Sequence, residues 1–95
     1  MLFEWDEAKD AANRAKHGIG FDEALEIFAD DHVVIPARAG PGGEVRWKAI
    51  GPLRDRPFIV VIHTDRRGRT RIISARPASR EERSRYYGTY GPRQT

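Results

Sequence analysis

The chemistry this chain can offer is concentrated in one stretch, IISARPASREERSRYY, residues 72–87. Arg76 ends an apolar run, Pro77 breaks it, and Arg80, Arg83 and Arg85 follow closely. A guanidinium presents a planar fork of donors that meets phosphate oxygens in pairs, whereas an ammonium is a point charge. If a helix starts after Ser79, then Arg80, Arg83 and Tyr87 fall on one face, and Tyr86 lies three residues beyond Arg83. The last strand and last helix would then bring several guanidinium groups to one place. The helix N-terminus would add partial positive charge and N–H donors. That is a candidate phosphate site. The same residues also fit a solvated arginine face with its tyrosines in the core, and residue types alone leave both readings open.

Of the three histidines, His63 ends the apolar run FIVVIHT and should lie near Arg69–Arg71 once that run pairs with TRIISAR. An imidazole there could serve as general acid or base, or simply close a strand. His17 ends the first helix, where a cation suits the dipole. The histidines are scattered without metal-ligand spacing, so no metal site is expected. There is no cysteine. Phosphate-loop, dinucleotide and serine-hydrolase motifs are absent, so neither nucleotide hydrolysis nor serine-nucleophile chemistry has support.

These residues belong to a chain of 95, sized for one domain with one small core. Its net charge of +3 conceals a division. The first 31 residues carry three lysines and arginines against nine acids; the rest carry fourteen against five. The later segment therefore suits a polyanion and the earlier one does not. No apolar run is long enough for a membrane span, and the acidic N-terminus does not resemble a secretory signal. Without cysteine, a cytoplasmic location is expected.

The elements that must position these residues follow from periodicity. Leu2–Trp5 reads as a strand. Asp6 is an N-cap, and Gly18 a C-cap, for a helix whose alanines at 8, 11, 12 and 15 form a narrow face suited to lie on a sheet. Phe21, Ala24, Leu25 and Phe28 mark a second helix. Four strands follow: HVVIPA, VRWKAIG, FIVVIHT and TRIISAR, separated by AGPGGE, LRDRP and DRRGR. FIVVIHT is apolar on both faces and should be central. In TRIISAR, strict alternation sets Thr70, Ile72, Ser74 and Arg76 on one face. Ser79 and Glu82 form a capping box for a last helix. The fold expected is α+β: a four- to five-stranded, mainly antiparallel sheet with two N-terminal helices and one C-terminal helix. One domain should span residues 1–87, with a flexible tail over 88–95.

The order of these pieces resembles a known family. FEWDEAKDAANRAKHGIGFDEALEIFADD is similar to the start of BrnT-type toxins, with W-D-x-x-K, KHG and F-x-E-A in sequence. IGPLRDRPFIVVIHT and RTRIISARPASREERSRYY resemble their second half, and the likeness covers about residues 3–87. The matching positions include Trp5, Asp6, Lys9, Lys16, His17, Gly18, His63, Ser74, Arg76, Arg80, Arg83 and Tyr86. The turn in AGPGGEVRW is longer and richer in glycine than the common pattern.

The resemblance implies a RelE-like fold and the toxin of a type II toxin–antitoxin pair. It implies an endoribonuclease that inhibits translation and needs neither metal nor cofactor. The RNA 2′-OH would be the nucleophile. On this basis His63, Arg76, Arg80 and Tyr86 are expected to be catalytic: Arg76 and Arg80 as phosphate clamp, His63 in proton transfer, Tyr86 orienting or stacking. Lys9, His17, Arg71 and Arg83 are expected to contact RNA. The implied partner is a BrnA antitoxin with a ribbon-helix-helix domain, joined in a hetero-oligomer that binds operator DNA. A non-catalytic nucleic-acid-binding module and an antitoxin-binding co-repressor are the alternatives.

Overall fold

The computed structural model describes residues 2–54 and 56–91, with only the backbone at Pro57. Strand β1 (Phe3–Trp5) leads into helix α1 (Glu7–His17), a short helix α2 (Phe21–Ala24) and a 3₁₀ turn (Leu25–Ala29). Strands β2 (Val33–Pro36), β3 (Trp47–Leu53), β4 (Arg56–Arg66) and β5 (Arg69–Pro77) follow, and helix α3 (Arg80–Tyr90) closes the described chain. The sheet order is β1-β5-β4-β3-β2. Strands β2 to β5 form an antiparallel meander, and β1 joins parallel to β5, so the sheet is mixed. Helix α3 continues through Gly88–Tyr90, where a tail was expected, and the Tyr90 hydroxyl donates to the His32 carbonyl at 2.9 Å. The last four residues lie outside the described ones.

Strand β4 is central, as its two-sided apolar pattern requires, and it separates two cores. On the helical face, Ile59 and Val61 pack with Ile72 and Ala75 under Ile19, Phe21, Ala24 and Ile27. On the α3 face, Phe58 and Val60 pack with Ile50 under Tyr86. The second helix is shorter than its apolar stripe suggested. After Ala24 it tightens to three residues per turn, so Phe21, Ala24 and Ile27 line up and are all fully buried.

Two expectations fail for physical reasons. Asp6 caps α1 by accepting from the Ala8 and Lys9 amides, and Gly18 ends it at φ 71°. Yet the alanine face points to solvent, and the buried residues are Asp10 and Asn13. Strand β1 pairs with β5 only as far as Ile72, which leaves the Ala75 backbone unpaired on that side. The Asn13 amide takes the place of a strand there. It donates to the Ala75 carbonyl (2.7 Å) and accepts from the Ala75 N–H (3.1 Å). Asp10 accepts from the Phe21 N–H at 2.8 Å, capping α2 from a distance. The second failure is strict alternation in β5. Ile62 faces Ser74 and His63 faces Ile72, so Ile73 is an extra residue, a bulge. Ile72 therefore shares the helical face with Ala75, while Ser74 and Arg76 turn to the α3 face.

Candidate nucleic-acid interface

Helix α3 covers only part of its face, and the open part is basic. Arg76 reaches this face because of the bulge, and Lys48 reaches it from β3, two strands away. Glu82 of α3 joins them. Its carboxylate accepts Arg76 Nη1 at 2.8 Å and Nη2 at 2.7 Å, Lys48 Nζ at 2.9 Å, and the Ser79 amide at 2.9 Å. The Arg76 guanidinium beside it, with Ser79 and Lys48, holds the Glu82 carboxyl far below the usual carboxylate range despite burial. Glu82 in turn raises Arg76. A carboxylate so fully supplied with donors is no proton acceptor near neutral pH. It fixes two cations side by side, and the cluster keeps one net positive charge.

Beside this cluster opens a cleft of about 360 Å³, whose polar wall is Arg38, Arg46, Lys48, Ser74 and Arg76. The glycine-rich turn between β2 and β3 builds its far side. A methyl group at Gly40 would overlap the Arg46 guanidinium, so glycine lets the arginine lie against the loop. Glu44 then accepts Arg46 at 3.0 Å and Arg66 at 2.9 Å, and both hold its carboxyl below the usual range. The Thr64 hydroxyl donates to the Val45 carbonyl at 2.6 Å and pins the turn to β4. Among the described residues, no group of three or more histidine and acidic side chains is placed to hold a metal ion.

The residues expected to act are divided between the two sides of the sheet. Arg76 lines the cleft. Arg71 lies on the same face of β5 and pairs with Glu4 at 2.7 Å. His63 is on the helical face, its ring edge-on to Phe28 with centroids 5.5 Å apart. Its Nε2 is buried without a hydrogen-bond partner in the described structure, and burial, helped by His32, holds its pKa below the ordinary value. The structure therefore does not bring His63 to Arg76. Exposed Lys9 and half-buried His17 belong to α1, also on the helical side. Tyr86 is buried against Phe58, ring centroids 5.0 Å apart, as a core residue. Arg80 is exposed and Arg83 half-buried on α3. Neither lines the cleft; Arg85 instead lines the adjoining recess with Lys48, Ser79 and Glu82. The helix N-terminus expected to receive phosphate is already occupied, because the Ser79–Glu82 capping box uses it.

Lys48, Arg38 and Arg46 were not anticipated. A signal for two of them was present: in VRWKAIG, the alternation that puts Trp47 and Ala49 together also puts Arg46 and Lys48 together.

A mixed five-stranded sheet with helices on both faces and a basic cleft beside the last helix defines a small α+β protein with one face suited to a polyanion. A family model described as "Ribonuclease toxin, BrnT, of type II toxin-antitoxin system" matches residues 5–82. The crystal structure of the Brucella abortus ribonuclease toxin BrnT is similar with a TM-score of 0.67 and 32% identity, over 84% of this chain and 100% of that chain. No curated protein matches the chain. The chain belongs to the BrnT family of ribonuclease toxins of type II toxin–antitoxin systems.

Proposed function

We propose that the chain is an endoribonuclease that cleaves RNA in the cleft between β3, β5 and the β2–β3 turn. The observation that carries this reading is the Lys48–Glu82–Arg76 cluster, two cations held together at the wall of an open basic cleft. In this chemistry the 2′-oxygen bonds to phosphorus as the P–O5′ bond breaks. The 2′ proton passes to solvent water in the open cleft, the 5′-oxygen takes one from solvent, and a 2′,3′-cyclic phosphate and a 5′-hydroxyl result. Negative charge builds on the phosphorane oxygens, and Arg76, Lys48 and Arg38 stand where such charge would be met. Donors already fixed in place stabilise that charge without reorganising. His63 has no part in this step, being across the sheet. Arg80 and Arg83, on α3 beside the cleft, serve the RNA backbone outside the reacting phosphate.

The toxin reading extends to the cell. RNA cleavage arrests translation in the cytoplasm, needs no metal, and is neutralised by a BrnA-type antitoxin whose ribbon-helix-helix domain takes the complex to operator DNA. No helix among the described residues is long and apolar enough to cross a membrane. Purified protein incubated with RNA and a chelator should yield fragments ending in cyclic phosphate, and induction in cells should stop growth unless the antitoxin is co-expressed. Intact RNA and unaffected growth would overturn the reading. Glu82 takes up one edge of the Arg76 guanidinium, a state that also suits a non-catalytic binding or co-repressor module. Binding of RNA without fragments would favour that module.

A further inference from the structure

The β4–β5 turn carries a second group of arginines that the cleft does not use. Arg66 and Arg69 face each other as the last pair of the two strands, and Arg67 and Gly68 make the tip. Both tip residues have positive φ, 53° and 81°, the pattern of a type I′ two-residue turn. Such a turn favours asparagine or aspartate before glycine, and an arginine there holds a left-handed backbone that a bulky side chain rarely adopts. Beside the tip lies a cleft of about 580 Å³ lined by Glu4, Arg66, Arg67 and Arg69. Arg71 takes Glu4, and Arg66 takes Glu44. The side chains of Arg67 and Arg69 make no hydrogen bond or ion pair among the described residues.

Arg69, Arg71 and Arg76 all lie on the α3 face of β5, the last because the Ile73 bulge resets the alternation. Along the strand, Arg69 is roughly 20 Å from Arg76. The two clefts thus sit on one face, joined by the arginines of β5. We propose that the turn is a distal binding site for the phosphodiester backbone of single-stranded RNA, with Arg67 and Arg69 holding phosphates several nucleotides from the one cleaved. The proposal rests on the ribonuclease reading and adds a requirement to it: the substrate must be long enough to reach the tip.

The double variant Arg67→Gly, Arg69→Gln tests this, since glycine suits the left-handed backbone at the turn's first position and fold loss is not expected. Affinity is read with 2′-O-methyl RNA, whose blocked hydroxyl cannot react, at lengths of about 16 and about 4 nucleotides. For the long RNA the double variant should weaken binding and lower the slope of log affinity against log salt by about 1.4, near 0.7 per lost phosphate contact. The short RNA should bind both proteins alike. With cleavable long RNA, KM should rise and kcat should stay. If the wild type cleaves RNA but the variant keeps its KM and its salt slope, the distal site is wrong and the ribonuclease reading stands. If only affinity for the antitoxin falls, the turn serves an acidic protein surface and the RNA proposal is overturned. If the wild type neither binds nor cleaves RNA, both readings fall together.

Discussion

Glu82 explains more of the candidate site than any arginine does. One carboxylate, its side chain 9% exposed, receives four donors and so sets where Arg76 and Lys48 stand. Its folded-state pKa lies far below the ordinary 4.5, so the unfolded chain takes the proton first as pH falls. The stability it contributes is complete above about pH 4.5 and is lost below it. Glu82→Gln should therefore lower stability at pH 7 by about 2–3 kcal/mol, the worth of charge-assisted bonds lost, with a smaller penalty at acid pH. Denaturant titrations at both pH values check this. His63 has the same sign from a different cause. Desolvation depresses its pKa below 6.5, so stability falls as pH drops through 6.5. His63→Phe should flatten that part of the Tm–pH curve and leave RNA cleavage unchanged; a large loss of kcat in the folded variant would restore the imidazole to the mechanism.

At the scale of elements, the pairings that rest on local pattern were legible and those set by distant neighbours were not. The two-sided apolar run of FIVVIHT marked the central strand, and Asp6, Gly18 and the Ser79–Glu82 box marked helix ends. The alanine face of α1 misled because polar burial decided the matter: Ala75 needed a partner, and Asn13 supplied one across 62 residues of chain. The Ile73 bulge is likewise silent in the sequence, since periodicity assumes an unbroken ladder. That one extra residue put Ile72 and Arg76 on opposite faces, and with them His63 and the cleft. Asn13→Ala should cost about 2–3 kcal/mol, because it leaves buried backbone groups of Ala75 and Ile19 unsatisfied. A Tm equal to the wild type would show that α1 docks by other means.

For the molecule as a whole, the sheet separates two environments. The helical side holds the acidic N-terminal segment and an apolar core, while the α3 side carries arginines from β4, β5 and the β2–β3 turn. The charge division along the sequence thus becomes in part a division in space: Arg38, Arg46, Arg66, Arg69 and Arg76 collect on the face that α3 leaves open, while Arg54 and Arg56 turn to the helical side, to Glu26 and the Gly18 carbonyl. Their convergence with Lys48 needed the sheet order, which brings β3 and β5 to either side of β4. The direct test of this account compares RNA cleavage by the wild type with that of Lys48→Gln, Arg76→Gln, both shown folded by thermal melts. Glutamine keeps a donor for Glu82 while removing both charges. The wild type should produce fragments ending in 2′,3′-cyclic phosphate in the presence of chelator, and the double variant should lose about a hundredfold or more in kcat, the scale of removing preorganised donors to a developing oxyanion. Cleavage by the double variant at the wild-type rate would place the active site elsewhere and contradict this account.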